Sequence, residues 1–241
     1  PVSINNVPTY FPVSQISPLT PLSVIWKWNP SHNGTDYGIW QNANEGMITG
    51  KGYIVRGPSG FSSSVASNYT ATFIGIPNNG LTTTAVSRGT RTTSYASPGG
   101  TATADDDNWN LVGNPYPSSI DALAFIAANS NLDGNVRLWT HGLLPSTAYP
   151  DPFYQDYIYN YSVNDYINFN SMGSTPPGFL GKIAAGQSFF VLLNHSASSP
   201  GTVTFNNNMR FNASNLPYNN SQFYRSSSEN LPDIQSEKHR I

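Results

Sequence analysis

Residues that could do chemistry are few in this chain, and their spacing decides what kind. Glycoside hydrolysis needs two positioned carboxylates. The chain has three glutamates, Glu45, Glu229 and Glu237, and the last two fall in a polar C-terminal stretch. A pair such as Asp151 and Asp156 is the kind of carboxylate pair the sequence still offers. A Ser-His-Asp site needs a base within reach of its nucleophile. The four histidines, His32, His141, His195 and His239, are scattered through turn contexts with no Gly-x-Ser-x-Gly elbow. The reading is therefore non-enzymatic. There is no cysteine, which removes disulfides, thiolate metal sites and cysteine nucleophiles together. Asp105, Asp106 and Asp107 are the candidate metal ligands, because Ca²⁺ takes several oxygens. On an extended chain consecutive side chains alternate in direction, so the three converge only if the loop bends. A solvated loop is the plainer reading.

The remaining candidates bind rather than react. Trp26 and Trp28 share one face of a strand, and Trp40 opens the next. Tyr157, Tyr159 and Tyr161 share a face of another. Exposed stripes of this kind would stack on glycans or pack on a protein partner. Turned inward, they are core. Gly50, Gly52 and Gly186 lack the strand-to-helix setting of a phosphate loop. They read as turn or bulge glycines.

The elements that must position these residues are mostly strands. Charged residues make up 10% of 241, net charge is −2, and aromatics reach 13%. That excludes a nucleic-acid footprint and a disordered chain. Solubility rests on Asn, Ser and Thr. No apolar run is long enough to span a membrane. Residues 1–23 are proline-rich and irregular. Strands are predicted at 24–28, 38–40, 53–56, 69–75, 81–87, 90–95, 109–112, 135–140 and 186–193. A strand at 201–205 pairs naturally with 186–193 as a hairpin. Ser118 and Asp121 form a Ser-x-x-Asp capping signature. It opens the single helix, near 118–129, with Ile120, Leu123, Ala124 and Ala127 on one face and Asn129 as terminator.

The fold class is all-β, with two tandem sandwich-like modules at 1–103 and 104–215 and a polar linker or extension at 216–241. An internal repeat supports the two modules. Met47-Ile48-Thr49-Gly50-Lys51-Gly52-Tyr53-Ile54-Val55 matches Ile183-Ala184-Ala185-Gly186-Gln187-Ser188-Phe189-Phe190-Val191 in pattern. Each is preceded by a Trp-bearing strand, 25–28 and 136–139. The second half has a strand, 109–114, before its Pro-Ser-Ser; the first half has nothing before Pro1. Either that strand was lost to truncation, or the unfilled slot accepts a strand from another chain.

The segment Trp109-Asn110-Leu111-Val112-Gly113-Asn114-Pro115-Tyr116-Pro117-Ser118-Ser119-Ile120-Asp121 resembles one common in large secreted surface proteins of Bacteroidota. The likeness continues through Leu138-Trp139-Thr140-His141, Gly186-Gln187-Ser188-Phe189-Phe190-Val191 and Val203-Thr204-Phe205-Asn206-Asn207-Asn208-Met209-Arg210. The resemblance implies export by the type IX route and an extracellular or outer-surface location. It also implies an adhesin-like role with no chemistry attached to the motif. The leading expectation is a non-catalytic structural or adhesive surface protein without cofactor, assembling with copies of itself or another surface protein into a filament by strand addition. The alternative is a carbohydrate-binding module of a polysaccharide-degrading system.

Overall fold

The computed structural model describes residues 25–30, 38–43, 45–55, 76–89, 95–97, 100–102, 109–140 and 166–218. In chain order these form β1 (Ile25–Asn29), β2 (Ile39–Asn42), β3 (Ile54–Val55), β4 (Thr82–Val86), β5 (Tyr95–Ser97), β6 (Gly100–Ala102), β7 (Trp109–Gly113) and β8 (Ile120–Asp121). Then come α1 (Ala122–Ala127), β9 (Val136–Trp139), β10 (Tyr166–Asn170), β11 (Gly173–Thr175), β12 (Lys182–Ile183), β13 (Ser188–Leu192), β14 (Gly201–Phe205) and a 3₁₀ turn, Asn207–Arg210. The fold is all-β with one short helix, and every pairing among the named strands is antiparallel.

The largest sheet has the order β11-β10-β9-β13-β7. Strand β13, between β9 and β7, is apolar on both faces because both faces are covered. Phe189 and Val191 face a core with Val112, Val136, Leu138, Ile167 and Phe169. That core is closed from the other side by Phe125 of α1 and by Val86, Val203 and Phe205 of the β4–β14 ribbon. Phe190 points the other way, into a layer shared with Trp28, Trp40 and Leu111.

The second Trp-bearing sheet, β2-β1-β3, carries the same register at the positions the repeat aligns. Trp26 pairs with Asn42 and Ile54. Arg137 pairs with Asn168 and Phe190. Trp28 pairs with Trp40, and Trp139 with Tyr166. The inward faces agree as well: Ile25, Met47 and Tyr53 form a small core, as Val136, Ile183 and Phe189 form part of the large one. Gly50 and Gly186 both turn with positive φ, +78° and +67°.

Two local expectations are corrected. First, strand β14 pairs with β4, not with β13. The intervening loop is tied sideways: Asn194 N–H donates to Asn131 O at 2.9 Å, and its Nδ2 to Leu132 O at 2.9 Å. This carries the chain across to the other layer. The pairing also joins residues on either side of the 103/104 division.

Second, α1 begins later than the capping signature suggests. Ile120 and Asp121 are held extended against Ile183 and Lys182. Asp121, not Ser118, is the N-cap, its Oδ1 accepting from Ala124 N–H at 2.9 Å. The buried face is Ala122 and Phe125 rather than Leu123, Ala124 and Ala127. Asn129 does close the helix, its Nδ2 donating to Phe125 O at 2.8 Å.

Near β7 the segment 50–52 approaches closely enough to bond to it. Gly52 N–H donates to Leu111 O at 3.0 Å, and Gly113 N–H to Gly50 O at 2.8 Å. A Cβ on Gly52 would lie 2.5 Å from Leu111 Cγ and 2.9 Å from Val112 O. Gly52→Ala is therefore expected to cost about 1–3 kcal/mol, as overpacking does, read as a lower urea midpoint at unchanged slope.

Candidate functional site

The Asn-Pro-Tyr-Pro segment is held by a dense set of hydrogen bonds. Strand β7 ends where Pro115 removes a donor. Asn114, fully buried, then turns its amide back onto the chain. Its Nδ2 donates to Ala184 O at 2.8 Å, Ser118 O at 2.9 Å and Ile183 O at 3.3 Å. Its Oδ1 accepts from Tyr116 N–H at 3.0 Å. Asn114 N–H donates to Gln187 O at 2.9 Å, and Gln187 Oε1 accepts from Ala184 N–H at 2.9 Å. The Gly-Gln stretch and the Asn-Pro-Tyr-Pro stretch thus build one turn together.

Residues from the first half lock onto this turn. Asn78 Nδ2 donates to Pro115 O at 2.9 Å, and Tyr116 Oη to Gly80 O at 2.5 Å. Arg210 lies over the Tyr116 ring, 5.0 Å from its centre. Its Nε donates to Ser118 Oγ at 2.8 Å and its Nη1 to Asn79 Oδ1 at 2.9 Å. Burial pushes the Tyr116 hydroxyl pKa up, against the lowering effects of a Thr82 hydrogen bond and the Arg210 charge. Arg210 was visible in sequence only as the end of a motif; the planar fork that reaches two segments at once is what the site uses.

Asparagine has a second role that composition alone does not disclose. Asn110 Oδ1 accepts from Ser87 N–H at 2.9 Å while its Nδ2 donates to Ser87 O at 2.7 Å. Asn129 treats Thr204 the same way, at 2.7 and 2.9 Å. Each amide stands in for a neighbouring strand's peptide group. Abundant Asn with sparse charge was the available signal, and solubility was only part of its meaning.

The aromatic candidates divide. Trp40 sits in the packed layer, edge-on to Trp28 at 5.2 Å and to Phe190 at 5.9 Å. Trp28 Nε1 donates to Trp109 O at 2.8 Å. Trp26 is half-buried at the margin of the same layer. Arg137 stacks over Trp109 at 4.3 Å. Asp105, Asp106 and Asp107, and Tyr157, Tyr159 and Tyr161, lie outside the described residues, as do Asp151, Asp156, His32, His141 and His239. His195 is exposed. Among the described residues no group of three His, Cys, Asp or Glu could hold a metal ion, and no helix is long and apolar enough to cross a membrane.

Three described carboxylates are engaged in ion pairs. Glu45 receives Lys27 and Lys51, both at 2.5 Å, and Tyr53 Oη at 2.9 Å. Asp121 receives Lys182 as well as the helix N–H. Asp133 receives Arg137 at 2.5 Å. Burial alone would raise the Glu45 pKa, but the Lys27, Lys51 and Tyr53 hydrogen bonds outweigh it and leave it below 4.5. Asp121 is likewise held below 3.8, with Lys182 and the Ala124 N–H opposing burial. Both pKa values are depressed in the folded state. Their stabilisation is therefore complete above the ordinary values and lost as pH falls through the folded ones. Melting temperature should be flat from pH 7 to about 5 and fall below about pH 4; Glu45→Gln should flatten that fall.

An all-β, antiparallel protein, built around a buried polar turn, is the class that this fold and site define. Residues 3–241 match a family model described as Domain of unknown function (DUF8693), and the chain belongs to that family. No curated protein matches it, and no solved structure does.

Proposed function

We propose that this protein is a non-catalytic structural or adhesive component of the bacterial cell surface. In this reading it is exported by the type IX route and associates with copies of itself or another surface protein. The observation that carries it is the placement of the marker residues. Asn114, Tyr116, Gln187 and Arg210 are engaged in holding segments together. The ion-paired states of Glu45, Asp121 and Asp133 support the same reading.

Association by strand addition draws support from the two sheets of matching register. Strand β13 is flanked by β9 and β7, whereas β3 is flanked, among the described residues, by β1 alone. The Tyr53 N–H on that side already donates to Ser188 Oγ at 3.3 Å. An added strand would therefore begin beyond it, at Val55. Electron microscopy of purified protein tests the proposal. Filaments or discrete oligomers are expected, and monodisperse monomers at high concentration would count against self-assembly.

One observation favours the carbohydrate-binding alternative: Trp26 lies half-buried at the margin of the aromatic layer. Glycan-array binding that disappears in Trp26→Ala would support that alternative and displace the structural reading.

A further inference from the structure

Sheet edges are where β proteins meet other chains. The β4–β14 ribbon has two edges, and the fold treats them differently. In an antiparallel pair, successive residues bond alternately toward and away from the partner strand. The outward residues of β14 are Thr204 and Thr202. Asn129 takes both backbone groups of Thr204, and Asn131 Nδ2 donates to Thr202 O at 3.1 Å. That edge is closed by asparagine amides.

The register sets Thr83 opposite Thr204 and Ala85 opposite Thr202. Thr83, Ala85 and Ser87 are therefore the outward residues of β4. Ser87 is closed by Asn110. Thr83 and Ala85 have no partner for their outward groups among the described residues, and both are exposed. Leu81, just before the strand, is 73% exposed. The run Leu81-Thr82-Thr83-Thr84-Ala85-Val86 has no charge and no proline, so it lacks the usual devices that blunt an edge.

We propose that this edge pairs with the same edge of a second copy of the chain. The inference rests on the self-associating reading above and gives it an address. The open run is two outward residues flanking Thr84. A two-fold axis at Thr84 sets Thr83 of each copy opposite Ala85 of the other, both pairs being of the type that exchanges two N–H···O bonds. In that register the facing runs carry no charge, so no like charges oppose one another across the axis. The result is an isologous interface and a ribbon ordered β14-β4-β4-β14. A two-fold contact closes on itself, so filament growth needs a second contact, such as the edge beside β3.

The chain has no cysteine, so introduced thiols report the register directly. Full-length Thr83→Cys and Ala85→Cys variants are purified separately, then oxidised alone and as a mixture. Opposed Cα atoms about 5.5 Å apart lie within disulfide range, whereas like positions lie about 7–8 Å apart, beyond it. The mixture should give at least several-fold more covalent dimer than either variant alone. Ala85→Pro removes an outward N–H that the fold does not use, and should lower the sedimentation-equilibrium mass toward the monomer with the melting temperature kept within a few degrees. Equal cross-linking in all three samples, or none, overturns the inference. Undiminished oligomers of Ala85→Pro overturn it too while leaving self-association intact. A monomeric wild type at the highest concentration overturns both. Glycan hydrolysis by protein that still cross-links in this register overturns the structural reading alone.

Discussion

Asn114→Ala should destabilise the protein by about 3–6 kcal/mol, because one truncation strands several buried groups at about 1–3 kcal/mol each. The groups are the carbonyls of Ala184, Ser118 and Ile183 and the N–H of Tyr116. None can turn to water, since Asn114 is fully buried and Tyr116 is 2% exposed. Asn114→Asp keeps the acceptor but loses both donor hydrogens and aims a charge at three carbonyl oxygens; it should cost at least as much at pH 7. Asn131→Ala is the comparison. It removes one exposed bond to Thr202 and should stay within about 0.5 kcal/mol of wild type. Urea unfolding measures all three. An Asn114→Ala cost near that of Asn131→Ala would mean that the turn is not held by this amide.

The second large effect is expected from division of the chain. A fragment of residues 104–241 lacks β4, so β14 loses the one strand it pairs with among the described residues, and the core loses Val86. Arg210, Tyr116 and Pro115 O lose their contacts to residues 78–80. Against a whole-domain stability of about 5–15 kcal/mol, these losses should abolish cooperative unfolding of the fragment. A peptide spanning 76–89 supplies the missing strand and should restore a sigmoidal transition. A fragment that unfolds cooperatively by itself would show that β4 is dispensable to the second half.

How much of this was legible in the sequence follows from the range of the forces involved. Strand-forming composition between turn residues is local, and strands at 25–29, 82–86, 109–113, 136–139 and 188–192 were readable from it. The aligned positions of Ile54 and Phe190 were also readable, and both pair with the matching residue of a Trp-bearing strand. Partner choice was not. Phe205 follows Phe189 closely in sequence, yet its strand crosses to Thr82–Val86 because Asn194 ties the loop to residues 131 and 132. The helix start was misplaced because Ser118 and Asp121 both suit a cap, and only the pairing of Ile120 with Ile183 decides between them. The site was half legible. Asn-Pro-Tyr-Pro stood out as a marker, but Arg210 and Asn78 reach it only through the tertiary fold.

The central structural claim is that these segments hold both halves as one body, and equilibrium unfolding followed by two probes tests it most directly. Trp28, Trp40 and Trp109 lie in the layer between the two Trp-bearing sheets, so tryptophan fluorescence reports their separation. Far-UV circular dichroism reports the strands themselves. The expected result is one transition with coincident midpoints in both signals. Two resolved transitions, with fluorescence changing while most of the strand signal persists, would contradict it.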